Sequence, residues 1–454
     1  HAARRRVGRC RGVVLWYPAD VVRLVVPGLC ALAAFGCSRP VVDPGHPSAP
    51  ADGGAQAPDV DSGALAQRPP DVIDARTRPE PHPLIPVGTR LTAYVGPRFV
   101  TGEDFVQEAR VVVADETGRV RALLRALPAP NPYVTVTLPG ALAVAGLHDP
   151  HVDLAALGER LAPTASADDR LRAALAACAD AGFVAVHDVG TAAADVAHLK
   201  ALDDAHALPL RVFVYVDAAD PDAWRWPGAF VATDTLQVMG VAVDGARADL
   251  AAIVDRAHAG TFQVAVQSPA DGAGSTVHDV VTALAAHHRV DVRDRLETAV
   301  DVSPEGAAIY DARISVVARD LDATSVAALG PLLDRGIAVA ATGATPAATL
   351  STLSALTTTS TKATPTTQQL RVVARHAAWA VNLERHAGAL TPGMYFDVTV
   401  FDVDHPAGDA GIDWRASPTP RAVATVVGGA LRPVSAAAPP SRPPSASPSA
   451  SRGP

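Results

Sequence analysis

Aromatic residues make up only 4% of the 454 residues, and cysteine occurs just four times. Basic side chains are outnumbered as well, 39 against 47 acidic, which leaves a formal net charge of −8. That balance offers no broad positive field to attract nucleic acid. Cys10, Cys30, Cys37 and Cys178 follow no zinc spacing, and Cys178 is alone in the body of the chain. No G-x-G-x-x-G follows a strand-like run, which ranks an open, doubly wound sheet well below other α/β folds. No repeat of solenoid or propeller length recurs.

What remains is 48% hydrophobic and 19% charged, enough to bury a large core, so a wholly disordered chain is excluded. Proline (39) and glycine (34) are frequent, and much of both lies towards the two ends. Arg4, Arg5, Arg6, Arg9, Arg11 and Arg23 form a basic lead into an apolar and small-residue run at 24–36. The run is too short to span a bilayer but suits a signal peptide. It ends in Ala34-Phe35-Gly36-Cys37-Ser38, which resembles a bacterial lipobox. The expectation is a signal segment over 1–37, a lipid on Cys37 and an exported protein anchored in the bacterial cell envelope. Plain secretion and an N-terminal anchor are the alternatives. Residues 38–84 read as a Pro/Ala-rich disordered tether and 437–454 as a disordered tail.

Between these ends, β-rich runs alternate with helical patterns. The runs are 142–147, 183–187, 210–216, 236–243, 262–266, 295–300, 314–318 and 337–341. Leu171, Ala174, Leu175 and Cys178 recur at helical spacing before Gly182, and Leu250, Ile253, Val254 and Ala257 do so before Gly260. Val326, Leu329 and Leu333 precede Gly336, and Thr366-x-x-Gln369 opens a final helix expected to run to about Glu384. Eight strands with crossover helices predict an α/β fold, a parallel (β/α)8 barrel over 142–392. Segments 85–141 and 393–436 alternate apolar and polar residues between turns, which predicts one small β-sandwich assembled from both flanks.

Function in such a barrel gathers at the C-terminal ends of the strands. Those ends carry His148, Asp149, His151 and Asp153, then His187 and Asp188, Asp217, Asp244, Gln267, Glu297 and Thr298, and finally Gly343-Ala344-Thr345-Pro346. Trp224 and Trp226 are read as packing residues rather than pocket walls, and His258, His287 and His288 as helix-surface groups.

Six segments, in order, carry a resemblance. They are LPGALAVAGLHDPHVDLAALGERL, RLRAALAACADAGFVAVHDVG, FQVAVQSPADGA, RDRLETAVDVSPE, GIAVAATGATPAATLSTLSAL and HAGALTPGMYFDVTVFDVD. Together they resemble the amidohydrolase superfamily, most closely amidohydrolase family 3, the N-substituted formamide deformylase-like branch, from about 89 to 432. The resemblance implies a metal-dependent hydrolase. A strand-one His-x-His and histidines after strands five and six would hold one or two divalent ions, and an Asp after strand eight would serve as ligand and base. The ion would activate water and polarise a scissile carbonyl.

This chain departs from that pattern. His151 persists, but Asp153 stands where the second histidine belongs, Gln267 replaces the strand-five histidine and Thr298 the strand-six histidine. Ala344 or Thr345 replaces the strand-eight Asp, and Met239 stands where the family often has Lys, although Asp244-Gly245 is kept. Gln and Thr are poor zinc ligands, so an ordinary family site cannot form. His151 and Asp153 are the residual candidates for zinc or another divalent ion. His148, Asp149, His187, Asp188, Asp244 and Glu297 are expected as polar residues of the barrel mouth, with Asp149 orienting His151 or its loop. The expected function is a pseudoenzyme that binds a small molecule or a partner, with no cofactor. The alternative is a hydrolase of non-peptide C–N bonds using a reorganised site around His151 and Asp153, and a decayed paralogue is the third reading.

Overall fold

The computed structural model describes residues 90–101, 108–225, 230–231, 233–268, 274–289, 292–299, 301–319, 323–342, 369–402 and 420–434. Cys37, Trp226, Ala344, Thr345, Thr366 and the expected signal, tether and tail segments lie outside them. No helix among the described residues is long and apolar enough to cross a membrane.

Eight parallel strands stand side by side in chain order: Leu147–Val152, Phe183–Thr191, Arg211–Asp217, Leu236–Asp244, Gln263–Gln267, Arg295–Thr298, Ser315–Ala318 and Val339–Ala341. This is the expected (β/α)8 barrel. Its two faces follow from the two-residue period of a strand. In the third strand Val212, Val214 and Val216 face the helix layer, where Leu199, Leu202, Leu175 and Val254 complete one large apolar cluster. Phe213 and Tyr215 face the interior with Met239, Ala242 and Ala265.

The helices obey local chemistry. The helix Ala167–Asp180 opens on Ser166, whose hydroxyl accepts from Asp169 N at 3.2 Å, and ends before Gly182 at φ 98°. Leu250–Ala259 and Ala323–Asp334 are helices, as their spacing predicts. The last helix, 369–380, contains a π turn over Arg371–Arg375 and stops at Ala380, short of the expected Glu384. It stops because Asn382 adopts the left-handed region at φ 58°. His258 is another correction: it lies in a helix, but it is buried and its Nε2 meets Asp294 at 3.0 Å.

Two further sheets flank the barrel. One has the order Val120–Leu124, Val111–Ala114, Thr92–Val95, Val134–Thr137. The other runs Ala430–Pro433, Ala422–Val427, Val398–Phe401, Leu142–Ala145, Arg98–Val100, Glu108–Ala109 and so draws strands from both ends of the chain. Tyr94, Phe99, Val112, Phe396, Val398 and Ala424 form the core between them.

The expected first barrel strand, 142–147, is therefore divided. Leu142–Ala145 pairs antiparallel with Val398–Phe401, and the barrel begins only at Leu147. Gly146 is the joint. Its N–H donates to Asp397 O at 2.9 Å, and a Cβ there would fall 2.3 Å from Val184 Cγ2. The apolar run passes from one sheet to the next with every residue buried, so hydrophobicity alone carries no mark of the boundary.

Candidate functional site

The first barrel strand ends in two turns of polar chemistry. Asp149 is buried. Its Oδ1 accepts from the Thr342 hydroxyl at 2.7 Å and from His151 N at 3.2 Å, which ties strand one to the end of strand eight and fixes the His151 backbone. Asp153 is exposed and its Oδ1 accepts from Ala156 N at 2.8 Å, so it is the N-cap of the helix Leu154–Leu161. Asp188, buried on strand two, accepts from Leu154 N at 3.0 Å and fixes the start of the same helix.

Strand six supplies the centre. Arg295 and Glu297, two residues apart, share the inward face, and both side chains are fully buried. Arg295 donates to Glu297 Oε1 through Nη2, to Pro150 O through the same nitrogen, and to His187 Nδ1 through Nη1 at 3.0 Å. Its guanidinium lies 4.5 Å from the Tyr215 ring centroid. His151 Nδ1 donates to the other oxygen, Glu297 Oε2, at 2.9 Å. Burial alone would raise the Glu297 pKa, but Arg295, and then His151, hold it below the ordinary carboxylate range.

His148 and His187 are not at the mouth. Both are buried in the barrel interior, edge to face at 5.8 Å, with Phe213 beside them. Burial pushes the His148 pKa down to about 4, and neither ring nitrogen has a partner. His187 is held well below its ordinary value by burial and then by Arg295. Its Nδ1 accepts, so its Nε2 carries a proton that finds no acceptor.

The remaining expected positions scatter. Met239 is part of the apolar interior. Asp217 and Asp244 are exposed at their strand ends, and each accepts the backbone N–H two residues on, at 2.9 Å. Gln267 ends strand five half-buried, and Thr298 ends strand six buried. Trp224 packs under the Arg256 guanidinium at 4.1 Å, as a packing residue should.

A zinc site of this fold needs several imidazole or carboxylate donors converging on one ion. Here His151, with Nδ1 bonded to Glu297, is the one imidazole at these positions, Asp153 caps a helix, and positions 267 and 298 offer only an amide and a hydroxyl. Among the described residues no group of three or more His, Cys, Asp or Glu side chains could hold a metal ion. The donor set does not fit the group that the sequence resemblance implies.

Two further arginines lie among these strand ends, Arg295 and Arg319. Arg295 had a signal, because a two-residue period places it on the face of Glu297. Arg319 follows strand seven directly. Its N–H donates to Thr298 O at 2.7 Å and its Nη2 to Ser268 O at 3.3 Å, so it lies across the C-terminal ends of strands five, six and seven.

Burial raises Asp188 from 3.8 to about 7 and Asp149 from 3.8 to about 6. A raised carboxyl pKa means the folded state holds protons that the unfolded state has released. Its stabilising effect is complete below about pH 4 and is lost as pH rises through the folded value. Asp188→Asn, which keeps an acceptor for Leu154 N, should therefore flatten the decline in stability between pH 4 and 7. Urea unfolding at pH 5 and pH 7.5 measures this, and an unchanged difference between the two would refute it.

No family model and no curated protein matches the chain. Solved structures do. An uncharacterized metal-dependent hydrolase from Pyrococcus furiosus superposes with a TM-score of 0.57 at 12% identity, covering 69% of this chain and 99% of that one. The zinc complex of atrazine chlorohydrolase TrzN from Arthrobacter aurescens TC1 gives 0.57 at 16% identity, covering 76% and 96%. A zinc-bound adenosine deaminase from Xanthomonas campestris gives 0.57 at 13% identity, covering 76% and 92%. The chain has the barrel fold of these metal-dependent hydrolases. At such identities the likeness establishes the fold alone, and the chemistry has to be read from this chain's own residues.

Proposed function

We propose that this chain is a metal-free barrel of the metal-dependent-hydrolase fold, a pseudoenzyme that binds a small polar ligand at the C-terminal face instead of hydrolysing it. Its resemblance to amidohydrolase family 3 supports descent from a hydrolase. The observation that carries the reading is the closed Arg295–Glu297–His151 network. Its carboxylate, Glu297, already has a resident cation in Arg295, and beside His151 the described residues bring no further His, Cys, Asp or Glu side chains together into a group that could hold a metal ion. Asp153, the other residual ligand candidate, is spent on a helix cap.

The purified full chain should contain no stoichiometric zinc, manganese, iron, cobalt or nickel by elemental analysis, with or without metal in the growth medium. His151→Ala should leave that metal content unchanged. One equivalent of a divalent ion, lost in His151→Ala, would overturn the proposal in favour of the C–N hydrolase reading.

A further inference from the structure

Buried donors without acceptors occur in two neighbouring pairs, Arg319 beside Ser268 and Arg295 beside His187. Arg319 Nε and Ser268 Oγ are buried and unpartnered, as are Arg295 Nε and His187 Nε2. A buried polar group left unpaired costs about 1–3 kcal/mol, and more when it is charged. The pair at the strand ends, Arg319 Nε and Ser268 Oγ, therefore points to a missing acceptor there.

The charges agree. Arg295 and Arg319 flank a single inward carboxylate, Glu297. Arg295 bonds to it directly, and His151 occupies its second oxygen. The other nearby carboxylate, Asp149, is taken by the Thr342 hydroxyl and the His151 backbone. Among the described residues, Arg319 finds one backbone carbonyl, Ser268 O at 3.3 Å, as the acceptor for its side chain. Ser268 is 2% exposed, and its N–H is already given to Glu297 O at 2.8 Å, which fixes it beside Arg319. Gln267, next to it, ends strand five with its side chain half-buried.

We infer that the C-terminal ends of strands five to seven form a carboxylate-binding site, in which Arg319 and the Ser268 hydroxyl receive the carboxylate of a small organic acid. A guanidinium presents parallel N–H groups that match the two oxygens of a carboxylate, and the hydroxyl adds a donor at the side. The inference rests on the metal-free binding reading and gives its ligand a chemical class.

The test uses the full chain with benzoate and succinate as probes, inorganic phosphate as a non-carboxylate anion and benzamide as a neutral control, each followed by titration calorimetry. At least one carboxylate should bind with one-to-one stoichiometry while benzamide does not. Arg319→Gln should weaken that binding about tenfold or more. Arg319→Lys, which keeps the charge but loses the fork, should fall between, and Ser268→Ala should weaken it by a smaller factor. Circular dichroism reports whether each variant is folded. If Arg319→Gln does not fold, Arg319→Lys and Ser268→Ala carry the test. Failure of both carboxylates to bind, equal binding by folded position-319 and position-268 variants, or phosphate binding in place of carboxylate would each overturn the inference. Elemental analysis of the same samples separates the two proposals. Metal-free protein that ignores both carboxylates refutes only the ligand class, whereas a stoichiometric metal refutes the binding reading itself.

Discussion

Glu297→Gln should destabilise the protein by about 3–5 kcal/mol, because it leaves the Arg295 guanidinium charged and uncompensated in the barrel interior. Glutamine keeps the size of the side chain and an acceptor for Arg295, so the change isolates the charge. Both partners are fully buried, which removes solvent as a substitute counter-charge. All the acceptors of Arg295 would then be neutral: the glutamine carbonyl, Pro150 O and His187 Nδ1. Adding Arg295→Met to Glu297→Gln should recover much of the loss, since it removes the stranded cation and puts an apolar chain of similar reach against Tyr215. Glu297 also sets a pH signature. Its pKa is lowered in the folded state, so its contribution is present above its ordinary value of 4.5 and is lost as pH falls below it. The Gln variant should lack that acid-side loss. Urea unfolding of the wild type, the single and the double variant measures all three. A single variant within about 1 kcal/mol of wild type would show that the pair does not matter to the barrel.

Asp397→Ala should be comparably severe, about 3–5 kcal/mol, but through a different joint. Arg211 opens the third barrel strand, and Asp397 immediately precedes the sandwich strand Val398–Phe401. Asp397 accepts from Arg211 Nε at 2.7 Å, from Arg211 Nη2 at 3.1 Å and from Gly428 N at 2.7 Å. Arg211 also lies over the Tyr395 ring at 3.9 Å. This fork joins barrel, sandwich strand and hairpin turn, so its loss should separate their unfolding as well as weaken it. Far-UV circular dichroism and tryptophan fluorescence should give non-coincident transitions in the variant where the wild type gives one. Coincident transitions with an unchanged midpoint would exclude this role.

Much of the architecture was legible because its causes are local. The valines of 211–217 alternate with larger interior residues, and the helix 167–180 has its serine cap and its glycine stop in the sequence itself. The boundary at Gly146 was not legible, since residues on both sides are apolar and buried. Only the pairing of Ala145 with Val398 assigns them to different sheets. The residue types at 153, 267 and 298, an aspartate, an amide and a hydroxyl, could be read by inspection. What fills the site instead could not. Glu297 was visible as a motif residue, but its partner Arg295 was passed over, although two-residue spacing would have paired them. Arg319 belongs to no motif at all and is notable only because strand seven ends before it.

The sequence by itself determined the order of strands and helices, and hence the barrel, because periods of two and of about 3.6 residues are properties of short segments. It also determined that positions 267 and 298, at the ends of strands five and six, carry an amide and a hydroxyl where a metal site would need stronger donors. Only the tertiary structure decided which polar groups meet: His151 with Glu297, Thr342 with Asp149, Arg211 with Asp397. These pairs join residues far apart in the chain, and each depends on strand register, in which a shift of one residue turns an interior side chain outward. That register, set across the whole barrel, is what puts Arg295 beside Glu297 and His151.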